Sequence, residues 1–179
     1  PAKMGVDIII HSATKYINGH SDVVAGVVCS SHAIIKKMFI DEYMVLGGII
    51  SPHDASLIIR GLRTLPIRME RVQSSTQVIV AALKGHKAIK RILYPFDVDF
   101  PQYELAKKQM TGCGGLFTIE FDFPDIETLL KVVGKVKRWK IAVSWGGHEA
   151  LMLPMAALYN LPGRDNAHVP WNYVRFYVG

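Results

Sequence analysis

Lys15 is the residue with the clearest potential for covalent chemistry, and two hydroxyl side chains, Ser12 and Thr14, stand just before it. A lysine in a partly desolvated pocket has a lowered pKa, so its amine can act as a nucleophile and later as a base. Hydroxyl groups are donors of the kind that a phosphate accepts. The three residues could therefore hold an aldehyde cofactor and its phosphate. Alternatively, the two hydroxyls bond only to local backbone.

The segment before Lys15 predicts the element that positions it. Residues 6–10 contain the β-branched run Ile8 to Ile10, which is typical of a strand buried on both faces of a parallel sheet. Residues that follow such a strand lie at its carboxyl-terminal edge, where open α/β sheets bind ligands. Residues 23–29 predict a second buried strand.

Charged and imidazole side chains follow Lys15 and are expected to stabilise the surrounding structure. His20 and Asp22 could form a metal site with His11, but no Cys/His pair has the spacing of zinc ligands, so we expect no metal. We expect His20 and Asp22 to bond to each other or to backbone and to brace the lysine loop. Three arginines further on are expected to form structural ion pairs and have no catalytic role: Arg60, Arg63 and Arg68.

A second group of chemically capable residues lies near the end of the chain. Ser144 and Trp145 are followed by two glycines, which let backbone approach a small ligand closely, although a tight surface turn is the alternative. Arg175 lies on a predicted strand, residues 173–178, where a guanidinium can grip a carboxylate through two parallel hydrogen bonds. An edge-strand arginine that serves solubility is the alternative.

The remaining elements follow from periodicity and turn residues. A helix is predicted over residues 33–44 and ends at paired glycines. Ser51 with Pro52 predicts the N-terminus of the next helix, and the pattern restarts at Thr64 and Pro66 in a long helix that stops at Gly85. Alternating strands and helices then predict a compact α/β or α+β layer domain. Its strands are residues 89–94, 116–121, 142–144 and 173–178, and its helices are residues 103–110 and 126–136.

Four segments together resemble the Cys/Met-metabolism family of pyridoxal-phosphate (PLP) enzymes. They are residues 11–23, residues 51–69, residues 144–149 and Arg175. The family includes cystathionine β-lyase, cystathionine γ-lyase, cystathionine γ-synthase and methionine γ-lyase. The resemblance implies that Lys15 is the Schiff-base lysine and that Ser12 and Thr14 contact the PLP phosphate. It also implies that Ser144, Trp145 and Arg175 bind the substrate, with Ser144 and Arg175 on its carboxylate.

The resemblance also implies an α/β fold in two parts. Residues 1–84 would be the end of an aminotransferase-like (fold type I) large domain with a long linking helix, and residues 85–179 a small carboxyl-terminal α/β domain, truncated at its end. The family's upstream half supplies the other cofactor contacts. We therefore expect the chain to be the carboxyl-terminal part of a subunit.

The expected activity is carbon–sulfur bond cleavage. Trp145 in the sequence Ser-Trp-Gly-Gly resembles cystathionine β-lyases, which favours β-elimination to pyruvate, ammonia and a thiol, although His148 stands where a tyrosine would be expected. The alternative within the family is γ-elimination or γ-replacement. An alternative of another class is a catalytically silent module that serves only folding or oligomerisation.

Composition excludes several other classes of function. The 179 residues carry a formal net charge of +6, but the basic residues are dispersed and no nucleic-acid-binding signature is present. No apolar run is long enough to span a bilayer. Two cysteines, Cys29 and Cys113, form no disulfide framework and suit the cytoplasm, and Cys113 lacks the partners of a nucleophile. The expected partners are a sulfur-containing amino acid and further copies of the chain, in a homodimer or homotetramer.

Overall fold

The computed structural model describes residues 1–159 and 168–179. The chain divides into two compact units, residues 1–65 and residues 66–179. This division falls inside a long helix, whereas the domain boundary predicted from sequence lies at the end of that helix, between residues 84 and 85. The predicted boundary stays a prediction, and the two units are described separately.

The first unit begins with a two-stranded antiparallel sheet. Strand β1 (Ile8–Ser12) pairs with β2 (Gly26–Ser30), with Ile8 opposite Ser30 and Ser12 opposite Gly26. A strand before Lys15 was predicted, but the parallel pairing and the burial on both faces were wrong for this chain: Ile10 is 74% exposed. A β-branched run specifies an extended backbone, whereas its partners and cover are set by residues distant in sequence.

Helices follow in the first unit. α1 (His32–Met38) leads through a π-helical turn (Phe39–Tyr43) into the short α2 (Met44–Leu46), which ends where Gly47 adopts a φ of +67°. A 3-10 turn (Ala2–Met4) precedes β1. Together these segments confirm the helix predicted over residues 33–44 and its glycine stop.

Helix α3 (Pro52–Leu83) runs without interruption for 32 residues and crosses from the first unit into the second. Its start was predicted correctly, because the Ser51 hydroxyl accepts a hydrogen bond from the Asp54 N–H at 3.0 Å. The predicted restart at Thr64 and Pro66 was wrong, since Pro66 lies inside the helix. A proline removes one backbone hydrogen bond, and a helix this long can retain its remaining bonds on either side.

The second unit is built on a five-stranded mixed sheet in the order β3-β4-β7-β6-β5. Its strands are β3 (Ile89–Leu93), β4 (Leu116–Phe121), β5 (Lys140–Ile141), β6 (Leu151–Pro154) and β7 (Tyr173–Tyr177). All neighbours are antiparallel except β5 and β6. The described part of this unit also contains the end of α3, helices α4 (Tyr103–Gln109) and α5 (Ile126–Val133), and a 3-10 turn (Met155–Leu158). The predicted strands 89–94, 116–121 and 173–178 and both helices are confirmed.

Two strand predictions in this unit failed. Residues 142–144 are not a strand, because β5 ends at Ile141, and β6 was not predicted. The β6 sequence is short and ends in Pro154, a residue that usually argues against a strand. Here Pro154 occupies the last strand position, which a residue without an N–H can do.

The core of the second unit lies on one face of the sheet. Val174 and Phe176 of β7 are buried there, and the Phe176 ring stacks on Phe117 at 5.3 Å between centroids. Trp139 meets the same ring edge-on at 5.7 Å. The alternation predicted for β7 is therefore confirmed, and Arg175 and Tyr177 lie on the opposite face of the strand.

A buried carboxylate ties β3, β4 and β7 together. Glu120 is 6% exposed and forms ion pairs of 2.8 Å with both Lys90 and Arg91. It also accepts a hydrogen bond from the Tyr173 hydroxyl at 3.1 Å. The neighbouring Lys90 ammonium, with Tyr173 and Arg91, holds the pKa of Glu120 below its usual value despite burial.

No helix within the described residues is both long and apolar enough to cross a membrane.

Candidate functional site

Lys15 lies on a π-helical turn, Ala13–Ile17, that begins directly after β1. Its backbone leaves helical geometry, with φ of −87° and ψ of −125°, and its carbonyl accepts a hydrogen bond from the Gly19 N–H at 2.8 Å. The Asn18 N–H closes the same turn by donating to the Ala13 carbonyl at 2.9 Å. Lys15 is half-buried. The structure thus places it just after a strand, as the sequence predicted.

The two hydroxyls near Lys15 differ in their surroundings. Thr14 Oγ1 accepts a hydrogen bond from the Ala25 N–H at 2.9 Å and donates to the Ala25 carbonyl at 3.2 Å. This is the local backbone role that was the alternative for this residue. Ser12 is exposed and makes no capping hydrogen bond to the turn. The amine of Lys15 on the turn and the exposed hydroxyl of Ser12 just before it fit an aldehyde cofactor with a phosphate. Thr14 would join the phosphate contact only by turning its proton away from Ala25.

The far side of the lysine turn is tied to helix α3. The Asp22 carboxylate accepts from Asn18 Nδ2 at 2.8 Å and from Arg60 at 2.6 Å. Asn18, and then Arg60, hold the pKa of Asp22 below its usual value. His20 Nδ1 donates to the Asn18 carbonyl at 2.6 Å. His20 bonds to backbone as predicted, whereas Asp22 bonds to the side chains of Asn18 and Arg60 and to neither of its predicted partners. The structural ion pair predicted for Arg60 is confirmed.

Gly61 shows how closely α3 approaches this turn. A Cβ atom at this position would lie 2.4 Å from the Asn18 carbonyl oxygen and 2.5 Å from that of Ile17. Both distances are far below contact distance, and both neighbours are backbone. Only glycine therefore lets the helix lie directly against the turn that carries Lys15.

Arg175 holds a different loop, within the second unit. It lies on β7, the central strand of the sheet, so the edge-strand alternative is excluded. Its Nη2 donates to the Val143 carbonyl at 2.6 Å and to the Ser144 carbonyl at 3.2 Å. Burial lowers the pKa of Arg175 from its usual value. The guanidinium is thus fixed at the start of the loop that carries Ser144 and Trp145.

The same loop is held at its other end. The Tyr177 hydroxyl donates to the Gly147 carbonyl at 2.9 Å, and Gly146 between the two anchors has a φ of +87°. Ser144 and Trp145 are both half-buried. This is an anchored loop, in contrast to the freely exposed surface turn that was the alternative.

The structure therefore gathers the predicted site residues into two groups. Ser12, the last residue of β1, directly precedes the turn of the first unit that carries Thr14 and Lys15. Ser144, Trp145 and Arg175 share one loop and its supporting strand in the second unit. The binding roles of all six residues stay predictions.

Sequence reasoning missed three supporting contacts. Asn18, Gly61 and Tyr177 were not singled out as site residues. For Gly61, the signal available in the sequence was a glycine inside an otherwise helical pattern, which usually has a packing reason. Tyr177 carried a weaker signal, since it shares a strand face with Arg175.

The described residues give no support for a cysteine nucleophile or for a metal site. Burial raises the pKa of the Cys113 thiol, which disfavours the reactive thiolate. Within residues 1–159 and 168–179, the acidic, histidine and cysteine side chains form no cluster that could hold a metal ion.

Comparison with known proteins identifies the family. The family described as Cys/Met metabolism PLP-dependent enzyme matches residues 1–179. Cystathionine gamma-synthase 1, chloroplastic, of Arabidopsis thaliana is 39% identical over 180 residues, which cover 98% of this chain and 32% of that protein. L-methionine gamma-lyase of Pseudomonas deceptionensis is 37% identical over 184 residues, covering 100% of this chain and 46% of that protein. The chain belongs to this PLP-dependent family.

A solved structure agrees with this assignment. The crystal structure of cystathionine gamma synthase from Xanthomonas oryzae pv. oryzae in complex with cystathionine matches with a TM-score of 0.87 and 32% sequence identity. The match covers 100% of this chain and 47% of that one. The predicted α/β fold of a PLP-dependent enzyme is thereby confirmed. The chain spans less than half the length of each of these three proteins.

Proposed function

We propose that this chain forms part of a PLP-dependent enzyme that acts on a sulfur-containing amino acid by γ-elimination or γ-replacement. The proposal concerns a full-length subunit, by which we mean a polypeptide of the relatives' length that contains these 179 residues. The observation that carries it is the lysine turn: Lys15 follows a strand, stands beside hydroxyls and is braced from two sides. Family membership supports the same cofactor.

Each predicted site residue has a role in this proposal. Lys15 Nζ supplies the amine that holds PLP, and Ser12 donates to the phosphate, with Thr14 beside it. When bound, PLP withdraws electron density from the α-carbon of an amino acid. Lys15 Nζ also takes the proton from that α-carbon, for which it must be neutral.

Substrate orientation falls to the second group. Arg175 is a permanent cation on a rigid central strand, and it faces the start of the loop that carries Ser144. A guanidinium on a rigid strand attracts a carboxylate and can hold it in one orientation. Trp145 lies between the anchors of the loop, where an indole can contact the side chain of a substrate.

The named relatives favour γ-chemistry over the β-elimination expected from sequence. Both relatives and the solved structure are γ-type enzymes by name. β-Elimination stays the second candidate because Trp145, whose presence favoured it, is held in the anchored loop. The expectation from a single aromatic residue is weaker than agreement among proteins that match the whole chain.

Product analysis of the full-length subunit tests the reaction type. Given L-cystathionine, γ-elimination yields 2-oxobutyrate, cysteine and ammonia, whereas β-elimination yields pyruvate, homocysteine and ammonia. An activated homoserine ester given with cysteine would yield cystathionine if the enzyme performs γ-replacement. Pyruvate as the main product would overturn the γ-proposal in favour of the β-candidate. Absence of all these products would refute both.

The role of Lys15 is tested separately. Borohydride reduction of the PLP-loaded subunit, followed by peptide mapping, should find the cofactor fixed on Lys15. Lys15→Arg should lose the label, and Lys3→Arg, on an exposed turn of the same unit, should keep it. A label on another lysine would remove Lys15 from its proposed role.

We further propose that the full-length subunit is cytoplasmic and forms a homodimer or homotetramer. Light scattering of the purified subunit would give the number of copies. The silent-module alternative predicts no visible absorbance change when PLP is added to that subunit, whereas the enzyme should show an imine band.

A further inference from the structure

The loop between β5 and β6 is fixed by two side chains of the same strand. Arg175 holds its beginning through the carbonyls of Val143 and Ser144, and Tyr177 holds its end through the carbonyl of Gly147. Between these two anchors stand only Trp145 and one glycine. The backbone of Trp145 is therefore held from both sides by residues that lie two apart on β7.

The two anchors differ, because only Arg175 is also proposed to bind the substrate carboxylate. Both hydrogen bonds of Arg175 to the loop use Nη2. A two-pronged carboxylate contact needs a pair of neighbouring guanidinium nitrogens, and Nη2 belongs to both pairs that can face a ligand. A substrate carboxylate would therefore compete with the Val143 and Ser144 carbonyls for this nitrogen. Once Arg175 turns to a carboxylate, the loop depends on its other anchor.

The surroundings of Tyr177 hold its side chain in one place. It is 1% exposed, and in the sheet it lies opposite Leu116 of β4 on one side and Leu151 of β6 on the other. Its backbone carbonyl accepts a hydrogen bond from Trp139 Nε1 at 3.0 Å. A Cβ at Gly115 would lie only 2.9 Å from the Tyr177 ring, so the ring has little room to swing. A buried phenol needs a partner for its proton, and the loop carbonyl provides it.

We propose that Tyr177 is a positioning residue that fixes the loop of Ser144 and Trp145 and thereby sets the preference among sulfur-containing amino-acid substrates. The proposal rests on the function proposed above. Tyr177 touches neither substrate nor cofactor in this role, because it acts through the backbone of the loop. Its phenol holds Trp145 at a constant place while Arg175 exchanges loop carbonyls for a substrate carboxylate.

The test is Tyr177→Phe in the full-length subunit, with Tyr159→Phe as the matched control. Tyr159 also donates its phenol proton to a backbone carbonyl, that of Val169, at the same distance of 2.9 Å. Each variant therefore deletes one hydroxyl that donates to a backbone carbonyl, a part-buried one at Tyr177 and an exposed one at Tyr159. Only the Tyr177 bond ends on the loop.

Hydrogen–deuterium exchange reports on the loop without any requirement for activity. The peptide that contains residues 143–149 should exchange about tenfold faster in Tyr177→Phe, as expected for the loss of one buried hydrogen bond, and should be unchanged in Tyr159→Phe. Unchanged exchange in Tyr177→Phe would overturn the anchoring role. If that variant fails to fold, Trp139→Phe, which removes the donor to the Tyr177 carbonyl, should show a smaller increase in the same peptide, and no increase would overturn the proposal.

Steady-state kinetics test the consequence for substrates. In Tyr177→Phe the KM for L-cystathionine should rise about three- to tenfold with kcat nearly constant, and the preference between L-cystathionine and L-methionine should change. Faster exchange with unaltered KM values and preference would refute the role in specificity while leaving the proposed function intact. A wild-type subunit that turns over no sulfur-containing amino acid would refute the proposed function, and the exchange experiment would still decide whether Tyr177 anchors the loop.

Discussion

Gly61→Ala should destabilise the protein, although the same change inside a helix is ordinarily stabilising. Alanine is favoured over glycine in a helix interior by about 1 kcal/mol. At this position, however, the new methyl would lie 2.4 Å from the Asn18 carbonyl oxygen and 2.5 Å from that of Ile17. These distances fall roughly 1 Å short of an ordinary van der Waals contact.

The size of the effect follows from what must move. The two oxygens belong to backbone of the turn that carries Lys15, so no flexible side chain can yield. Overpacking of this kind costs about 1–3 kcal/mol, and severe cases cost more. Because the clash involves two backbone groups at once, we expect a cost near the upper end. After the gain in helix propensity is subtracted, the free energy of unfolding should fall by about 1–2 kcal/mol.

Urea unfolding of the full-length subunit measures this change. Gly48→Ala is the matched control, because a Cβ at Gly48 meets nothing within 4 Å. A second measurement is the yield of PLP fixed on Lys15 by borohydride, which should fall in Gly61→Ala since the turn is displaced. Stability equal to or above that of the wild type, with a normal labelling yield, would refute the close approach of α3 to the lysine turn.

Three further substitutions test the other contacts. Arg175→Lys should mainly raise KM, because a lysine cannot supply the planar array of donors. The resulting fall in kcat/KM should correspond to about 1–3 kcal/mol of lost transition-state stabilisation, and an unchanged kcat/KM would make Arg175 purely structural. Glu120→Gln should lower the free energy of unfolding at neutral pH by about 1–3 kcal/mol, as measured by urea unfolding. The pKa of Glu120 is lowered in the folded state, so its contribution is present above the usual carboxyl pKa and is lost as pH falls through the folded pKa. The difference between wild type and Glu120→Gln should accordingly shrink in acid, and a difference independent of pH would contradict the ion-pair explanation. Asp22→Asn should lower the yield of PLP fixed on Lys15, because the link from the lysine turn to Arg60 is weakened, and a wild-type yield would show that this link does not position the lysine.

The elements that could be predicted from sequence are those with a complete local signal. β4 was predicted at its observed ends, and α4 within one residue, because their apolar periodicity is bounded by turn residues. β6 lacked such a signal, since four residues ending in Pro154 do not show a period. The antiparallel pairing of β1 was also beyond a local reading, because pairing depends on a partner that the run itself does not specify.

The site shows the same division. Lys15 could be located after a strand because the strand and the hydroxyls are its neighbours in sequence. The ion pair of Asp22 with Arg60 could not be predicted, since the two residues are 38 positions apart and the sequence does not show which side chains the fold brings together. The anchors at Val143, Ser144 and Gly147 could not be found either, because each is a backbone carbonyl that every residue type possesses.

Backbone anchoring has a consequence for how the substrate loop can vary. Since Arg175 and Tyr177 bind carbonyls, the side chain at position 145 can change without loss of either hydrogen bond. If Trp145 contacts the substrate as proposed, a substitution there should alter substrate preference while the path of the loop is kept, provided that Gly146 retains the left-handed backbone that joins the two anchors. A tryptophan at this place is then compatible with either γ- or β-chemistry. The loop fixes where the backbone of residue 145 lies, whereas in the proposed function the chemistry at the α-carbon depends on Lys15 and PLP.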